Sequence, residues 1–231
     1  MKLDLLRGLN AARRERRAAI LVTDVETGEA RLVGENDVAG DPLAAELQAR
    51  LRSGRSGMLA DGRTFLTVQV PPPRLVIIGA VHVSQALVPM ARLAGFDVIV
   101  IDPRTAFASP ERFPDIPLVA EWPDTALPPL NVDAYTAFVA VTHDPKIDDP
   151  ALLHAFERNC FYIGALGSRK THAKRGDRLR AQGAKDTDIA RIHAPIGLAI
   201  GAVSPSEIAV AIMAEITAVL RLPPKEKEEA A

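Results

Sequence analysis

Arg74-Leu75-Val76-Ile77-Ile78-Gly79-Ala80-Val81-His82-Val83-Ser84 is the stretch that decides the fold. Its apolar run, Leu75 to Ile78, ends at Gly79, and an amphipathic stretch carrying Val83, Leu87, Met90, Leu93 and Ala94 begins at once. That stretch closes at Gly95, ahead of a second apolar run, Val98-Ile99-Val100-Ile101, and then Asp102. Strand, tight turn, helix, strand and acidic residue form the opening of a dinucleotide-binding unit. Asp102 stands about 20 residues past the turn, where such units place a ribose-binding carboxylate. The turn is not G-x-G-x-x-G, however. Its second glycine normally lets backbone approach a pyrophosphate, and here that position is Val81. The scaffold reads as nucleotide-binding with an altered phosphate contact, which argues against NAD or NADP as its ligand.

Downstream, the pattern keeps alternating. Residues 117–120, 137–141 and 161–166 read as further strands. Helices are predicted at 150–158 with Asp149 as N-cap, at 169–182, and at 205–222 behind the capping box Ser204-Pro205-Ser206-Glu207. Alternating strands and helices predict a doubly wound parallel sheet, an α/β fold. Upstream, residues 1–17 read as a helix, and 19–25 and 30–33 as strands of a hairpin around Glu26-Thr27-Gly28. Residues 42–52 read as a helix with Asp41 as N-cap, and 63–70 as a strand. Pro71-Pro72-Pro73 stiffens the chain as a linker. The expected organisation is a small α+β domain over 1–70, the linker 71–73, the parallel-sheet domain over 74–222, and a frayed charged tail over 223–231.

The 231 residues are enough for a substantial core, and 28 Lys and Arg against 29 Asp and Glu leave no basic excess for nucleic acid. A lone cysteine, Cys160, excludes an intramolecular disulfide framework. No signal peptide or membrane span is evident, so the cytoplasm is the expected location. The apolar C-terminal helix suggests a homodimer.

Polar residues collect at the expected carboxyl ends of the strands, where open parallel sheets bind ligands. Gly79 and His82 follow the first strand, and Asp102, Pro103 and Arg104 the second. Thr142-His143-Asp144-Pro145-Lys146 follows the fourth, and Gly164-Ala165-Leu166-Gly167-Ser168-Arg169-Lys170 spans the fifth strand and its exit. The last segment is the better anion site: two glycines allow a sharp turn, Ser168 caps the next helix, and that helix offers free N–H groups. An ordinary strand-to-helix turn with solvated basic residues is the other reading, since the macrodipole disfavours cations there. His82, His143, His154, His172 and His193 show no H-x-x-x-H spacing, so no metal site is predicted. Cys160 lacks a thiolate-stabilising partner and reads as inert.

Over about residues 74–221 the sequence resembles the XdhC/CoxI family, accessory proteins of xanthine dehydrogenase and related molybdenum hydroxylases. The resemblance is carried by Gly79-Ala80-Val81-His82-Val83, Asp102-Pro103-Arg104, residues 107–113 (FASPERF) and Thr142-His143-Asp144-Pro145-Lys146. Residues 164–169 (GALGSR), 193–198 (HAPIGL) and 204–209 (SPSEIA) extend it. It implies a Rossmann-like domain that holds molybdenum cofactor, a molybdopterin carrying phosphate, and delivers it to a xanthine dehydrogenase-type apo-enzyme without turnover of its own. A cysteine desulfurase is the implied partner in supplying the terminal sulfido ligand. The expected pocket is Gly79, His82, Asp102, Gly164, Gly167, Ser168 and Arg169, rimmed by His143 and Asp144. Two rival readings stand beside it: a nicotinamide-dependent oxidoreductase, and a nucleotide-sensing module.

Overall fold

The computed structural model describes residues 2–223; the charged run from Lys225 to Glu229 lies outside them. The chain divides into two compact units, one up to Pro71 together with Arg221 onward, the other from Pro72 to Leu220.

The first unit is a four-stranded antiparallel sheet. Helix α1 (Leu3–Arg14) precedes β1 (Ala19–Asp24) and β2 (Ala30–Gly34), and α2 (Ala44–Ser53) precedes β3 (Gly57–Met58) and β4 (Thr64–Gln69), in the strand order β2-β1-β4-β3. Alternation along β1 splits its side chains between two faces. Ile20 and Val22 join Leu47 of α2 and Leu66 of β4, whereas Ala19 joins Leu9 and Ala12 of α1. Asp41 is not the N-cap of α2, which starts at Ala44. Its carboxylate pairs with Arg31 and accepts the Leu43 amide at 2.9 Å, so it closes the turn ahead of the helix.

The second unit opens with β5 (Arg74–Ile78), α3 (His82–Leu93), β6 (Asp97–Ile101), β7 (Leu118–Val119), the short α4 (Pro123–Ala126) and β8 (Thr136–Ala140). It continues through α5 (Pro145–Glu157), β9 (Tyr162–Ala165), α6 (Arg169–Ala181), α7 (Asp186–Ile189), β10 (Ile192–His193) and α8 (Pro205–Arg221). All six strands run parallel in the order β10-β9-β8-β5-β6-β7. That is the doubly wound dinucleotide-fold order, with its topological switch point between β5 and β8. Both faces of the sheet are buried, which is why β5 and β8 are continuous apolar runs. Leu75 and Ile77 pack with Leu87 of α3 and with Ile212 and Ile216 of α8; Val76 and Ile78 pack with Leu152 of α5 and Leu179 of α6.

Two expectations need correction. Helix α5 begins at Pro145, not Pro150: Asp144 is its N-cap and accepts the Lys146 amide at 2.9 Å. Asp144-Pro145 and Asp149-Pro150 carry the same start signal, and Asp149 is instead buried and gripped by Arg178 at 2.6 and 3.0 Å. The sheet also has a sixth strand, β10, too short for its two residues to show a period. The capping box of α8 is as expected, with the Ser204 amide donating to Glu207 and the Glu207 amide donating to Ser204 Oγ.

Candidate functional site

The crevice lies where β5 and β8 end. Gly79 has φ +119°, and a Cβ there would stand 2.9 Å from Thr142 Cγ2 and 3.2 Å from the Thr142 amide nitrogen, so only glycine lets the two strand ends meet. Ser84 Oγ donates to the Gly79 carbonyl at 2.6 Å, which closes the turn from the helix side. Val81 is the N-cap residue of α3 in extended geometry, half-buried against the core, and His82 beside it is exposed.

Asp102 is fully buried, and its carboxylate is occupied. Oδ2 accepts the Ala80 amide and Arg104 Nη2, both at 2.8 Å, and Oδ1 accepts the Arg104 amide at 3.0 Å and Arg104 Nε at 2.9 Å. Four bonds fill the acceptor capacity of a carboxylate. Asp102 thus ties the β5–α3 turn to β6 and leaves no acceptor for a ribose or pterin; this corrects its expected role as a ligand contact. Burial alone would raise its pKa, but the bonds from Arg104 and Ala80 outweigh burial and hold it below the usual carboxylate range. Arg104, one-third exposed, carries the polar surface outward and feels the charges of Asp144 and Asp148 from the β8–α5 loop.

On that loop His143 adopts φ +65°, a left-handed conformation rare for a residue with a side chain, and it is exposed. The strain is held by its neighbours. Thr142 Oγ1 donates to buried Asp148 at 2.7 Å, and the Asp144 amide donates to Thr142 Oγ1 at 3.0 Å. Burial pushes the Asp148 carboxyl up, opposed by the Thr142 bond and by Arg175.

The third loop turns at Gly167, φ +134°, where a Cβ would lie 3.0 Å from Thr171 Cγ2. Ser168 caps α6 by accepting the Thr171 amide at 3.2 Å, and Arg169 and Lys170 are exposed in its first turn. Behind this turn lies Arg175, only 2% exposed. Its Nη2 donates to the Leu166 carbonyl at 2.8 Å, while Nε and Nη1 have no partner among the described residues. Burial lowers its pKa, with Asp148 and Asp149 pulling the other way. Gly164 does not belong with these groups. It is buried within β9, where a Cβ would meet Ile196 Cδ1 at 2.5 Å, so its small size serves packing and not an anion.

Beyond β10 a further polar cluster was not foreseen. Glu215 Oε2 accepts Tyr162 OH at 2.6 Å and the Gly197 amide at 2.8 Å, and Oε1 lies 3.1 Å from His193 Nδ1. The Tyr162 and His193 rings stack with centroids 4.6 Å apart. Burial alone would raise the Glu215 pKa, but hydrogen bonds from His193, Tyr162 and Gly197 more than offset it. Tyr162 and Glu215 are 53 positions apart, so no local pattern announces the pair. Among the described residues, no group of three or more His, Cys, Asp or Glu side chains is arranged to hold a metal. No described helix is long and apolar enough to cross a membrane.

One family model, described as the XdhC Rossmann domain, matches residues 75–216. The chain is 32% identical over 205 residues to a Bacillus subtilis (strain 168) protein named as a probable xanthine dehydrogenase subunit, covering 87% of this chain and 60% of that one. It is 29% identical over 179 residues to the molybdenum cofactor insertion chaperone PaoD of Escherichia coli K12, covering 78% and 49%. It is also 37% identical over 154 residues to the uncharacterized Escherichia coli K12 protein YqeB, covering 66% and 28%. The chain therefore spans between 28% and 60% of these relatives' lengths. A solved structure, a xanthine dehydrogenase of Bacillus halodurans, shares the fold with a TM-score of 0.64 at 24% identity, covering 98% of this chain and 66% of that one.

Proposed function

Because the chain belongs to the XdhC family, we propose that it binds molybdenum cofactor and helps its maturation and insertion into a xanthine dehydrogenase-type molybdenum hydroxylase. The names of two relatives, a molybdenum cofactor insertion chaperone and a probable xanthine dehydrogenase subunit, support that direction. The observation that carries it is the α6 end. There a glycine turn and a capped helix start, whose free N–H groups suit a phosphate, lie in front of the buried Arg175 guanidinium, two of whose donors have no partner among the described residues.

In this reading the backbone N–H groups after Gly167, with Ser168 and Arg169, take the cofactor's phosphate, and Arg175 adds positive potential from behind. His143 and Asp144 form the opposite rim, and His82 donates from the α3 start. Gly79 and Asp102 touch no ligand; the glycine turn and the Asp102 carboxylate fix the floor between them. The bound cofactor supplies molybdenum redox chemistry to the client enzyme; this chain holds and releases it. Any sulfur delivered by a cysteine desulfurase reaches the held cofactor without passing through Cys160, which is buried, with its thiol pushed up to about 12 by that burial. In this reading the carrier works in the cytoplasm.

The oxidoreductase reading has less support. Asp102 has no acceptor left for a ribose, and valine stands at position 81, where a G-x-G turn has its second glycine. The test is co-expression with a molybdenum hydroxylase under anaerobic, molybdate-replete conditions. Oxidised-pterin fluorescence should copurify with the protein, and its absence would sink the carrier role.

A further inference from the structure

The loop after β6 carries chemistry that the α6 phosphate site leaves unused. Arg104 spends Nε and Nη2 on Asp102, while its Nη1 has no hydrogen-bond partner among the described residues. Its guanidinium lies 4.6 Å from the Phe107 ring centroid, and that of Arg112 lies 5.7 Å from the same centroid. Arg112 is held by neutral acceptors alone. It donates to the Phe107 carbonyl at 2.9 Å and to Gln85 Oε1 at 3.1 Å. The neighbouring Glu111 carboxylate is engaged by Ser109, so no carboxylate pairs with Arg112 among the described residues. Phe107, within reach of both cations, is 41% exposed. The loop thus presents an aromatic ring and, among the described residues, N–H donors without a partner and one positive charge without a carboxylate, at the carboxyl edge of β6 on the bank of the switch-point crevice.

We propose that Arg104, Phe107 and Arg112 form a binding subsite for a planar heterocycle that carries a phosphate. The ring stacks against Phe107, and the guanidinium N–H groups take the anion and the ring's acceptors. β6 and β9 stand three strand spacings apart, about 14 Å. One phosphate cannot serve both this loop and the α6 end, so the subsite holds either a separate nucleotide or the far, heterocyclic end of the pterin cofactor. In the second case the inference rests on the carrier reading; in the first it stands alone.

Full-length protein is titrated calorimetrically with adenosine monophosphate, with inorganic phosphate, and with anaerobically prepared molybdopterin. At least one heterocyclic phosphate should bind about tenfold more tightly than inorganic phosphate. Phe107→Leu and Arg112→Gln should each lose about tenfold of that affinity. The ligand preferred by the wild type names the source. Because Arg112 also braces its loop, the exposed Phe107→Leu variant, with an unchanged unfolding midpoint, decides the outcome. The subsite is overturned if the wild type prefers neither heterocycle, or if Phe107→Leu binds the preferred one as the wild type does. Adenosine monophosphate binding that depends on Phe107, with no retained pterin, would remove the carrier role and leave the subsite standing. Pterin retained equally by the wild type and both variants, with no preference for adenosine monophosphate, would do the reverse.

Discussion

Asp102 accepts the Ala80 amide at 2.8 Å, so the acidic residue at the end of β6 fastens the turn at the end of β5. The residue where a dinucleotide enzyme would grip a ribose is a structural clamp here, and Arg104 is the group it offers to the crevice. Asp102→Asn keeps the shape but removes the charge that organises four hydrogen bonds, and it should cost roughly 1.5–3 kcal/mol of stability by urea unfolding. The pH dependence follows from the sign of the shift. The folded-state pKa of Asp102 lies below its unfolded value. Its contribution is therefore present above about pH 4 and fades as pH falls through the folded-state value. The variant should show a shallower acid slope than the wild type; equal slopes would mean that Asp102 is not the clamp.

Gly79→Ala tests whether the switch point tolerates any widening. The new Cβ meets the Thr142 backbone and methyl group, and φ +119° is strained for alanine. A loss of at least about 2 kcal/mol is expected, since neither β5 nor β8 can move without breaking its ladder. A loss under about 0.5 kcal/mol, the usual size of a surface substitution, would show that the loops open freely.

Much of this was legible in the sequence, because both strands and helices of the second unit bury apolar faces whose period is written locally. Helix α6 with Ser168 as its N-cap and the capping box of α8 stood where their residues signalled. What escaped was set at a distance. Asp149 looked like a helix cap until Arg178, 29 positions away, claimed it. Gly164 looked like part of a phosphate turn until Ile196 filled the space above it. Position along the chain gave the carboxyl edge of the sheet, but not whether a side chain there points to a ligand or back into the scaffold; Asp102 and Arg175 both turn inward.

Arg169→Ala probes the phosphate end of the proposed carrier site. The side chain is exposed, so stability should change little, while retention of the pterin cofactor should weaken by roughly 1.5–3 kcal/mol, the worth of a hydrogen bond to a charged group. Pterin fluorescence per mole of purified protein gives the comparison. Undiminished retention would take Arg169 out of the contact and leave the backbone amides after Gly167 to hold the anion.

Cys160 is 1% exposed, and burial pushes its thiol up to about 12, so almost none is thiolate near neutral pH. Alkylation of the folded protein should run at least about a hundredfold slower than in urea, since it waits on local opening. Cys160→Ala should leave activation of the proposed molybdenum-hydroxylase client intact. Accumulation of an inactive desulfo client with this variant would instead make the cysteine a sulfur carrier.

Val81 sets this crevice apart from that of a dinucleotide enzyme. It stands at the N-cap of α3, where a G-x-G turn has a hydrogen atom facing the pyrophosphate, and its branched side chain is half-buried against the core and stiff at χ1. A monophosphate seated at Phe107 need not cross this point, but NAD and NADP must. Both should bind the wild type more weakly than roughly 1 mM, a standard binding energy of only about 4 kcal/mol. Val81→Gly should tighten binding, with a stability loss of roughly 0.5–1 kcal/mol from added backbone freedom. Calorimetric titration of the two proteins decides it. Micromolar affinity in the wild type would mean that the dinucleotide passes Val81 unhindered, and the oxidoreductase reading would then displace the carrier.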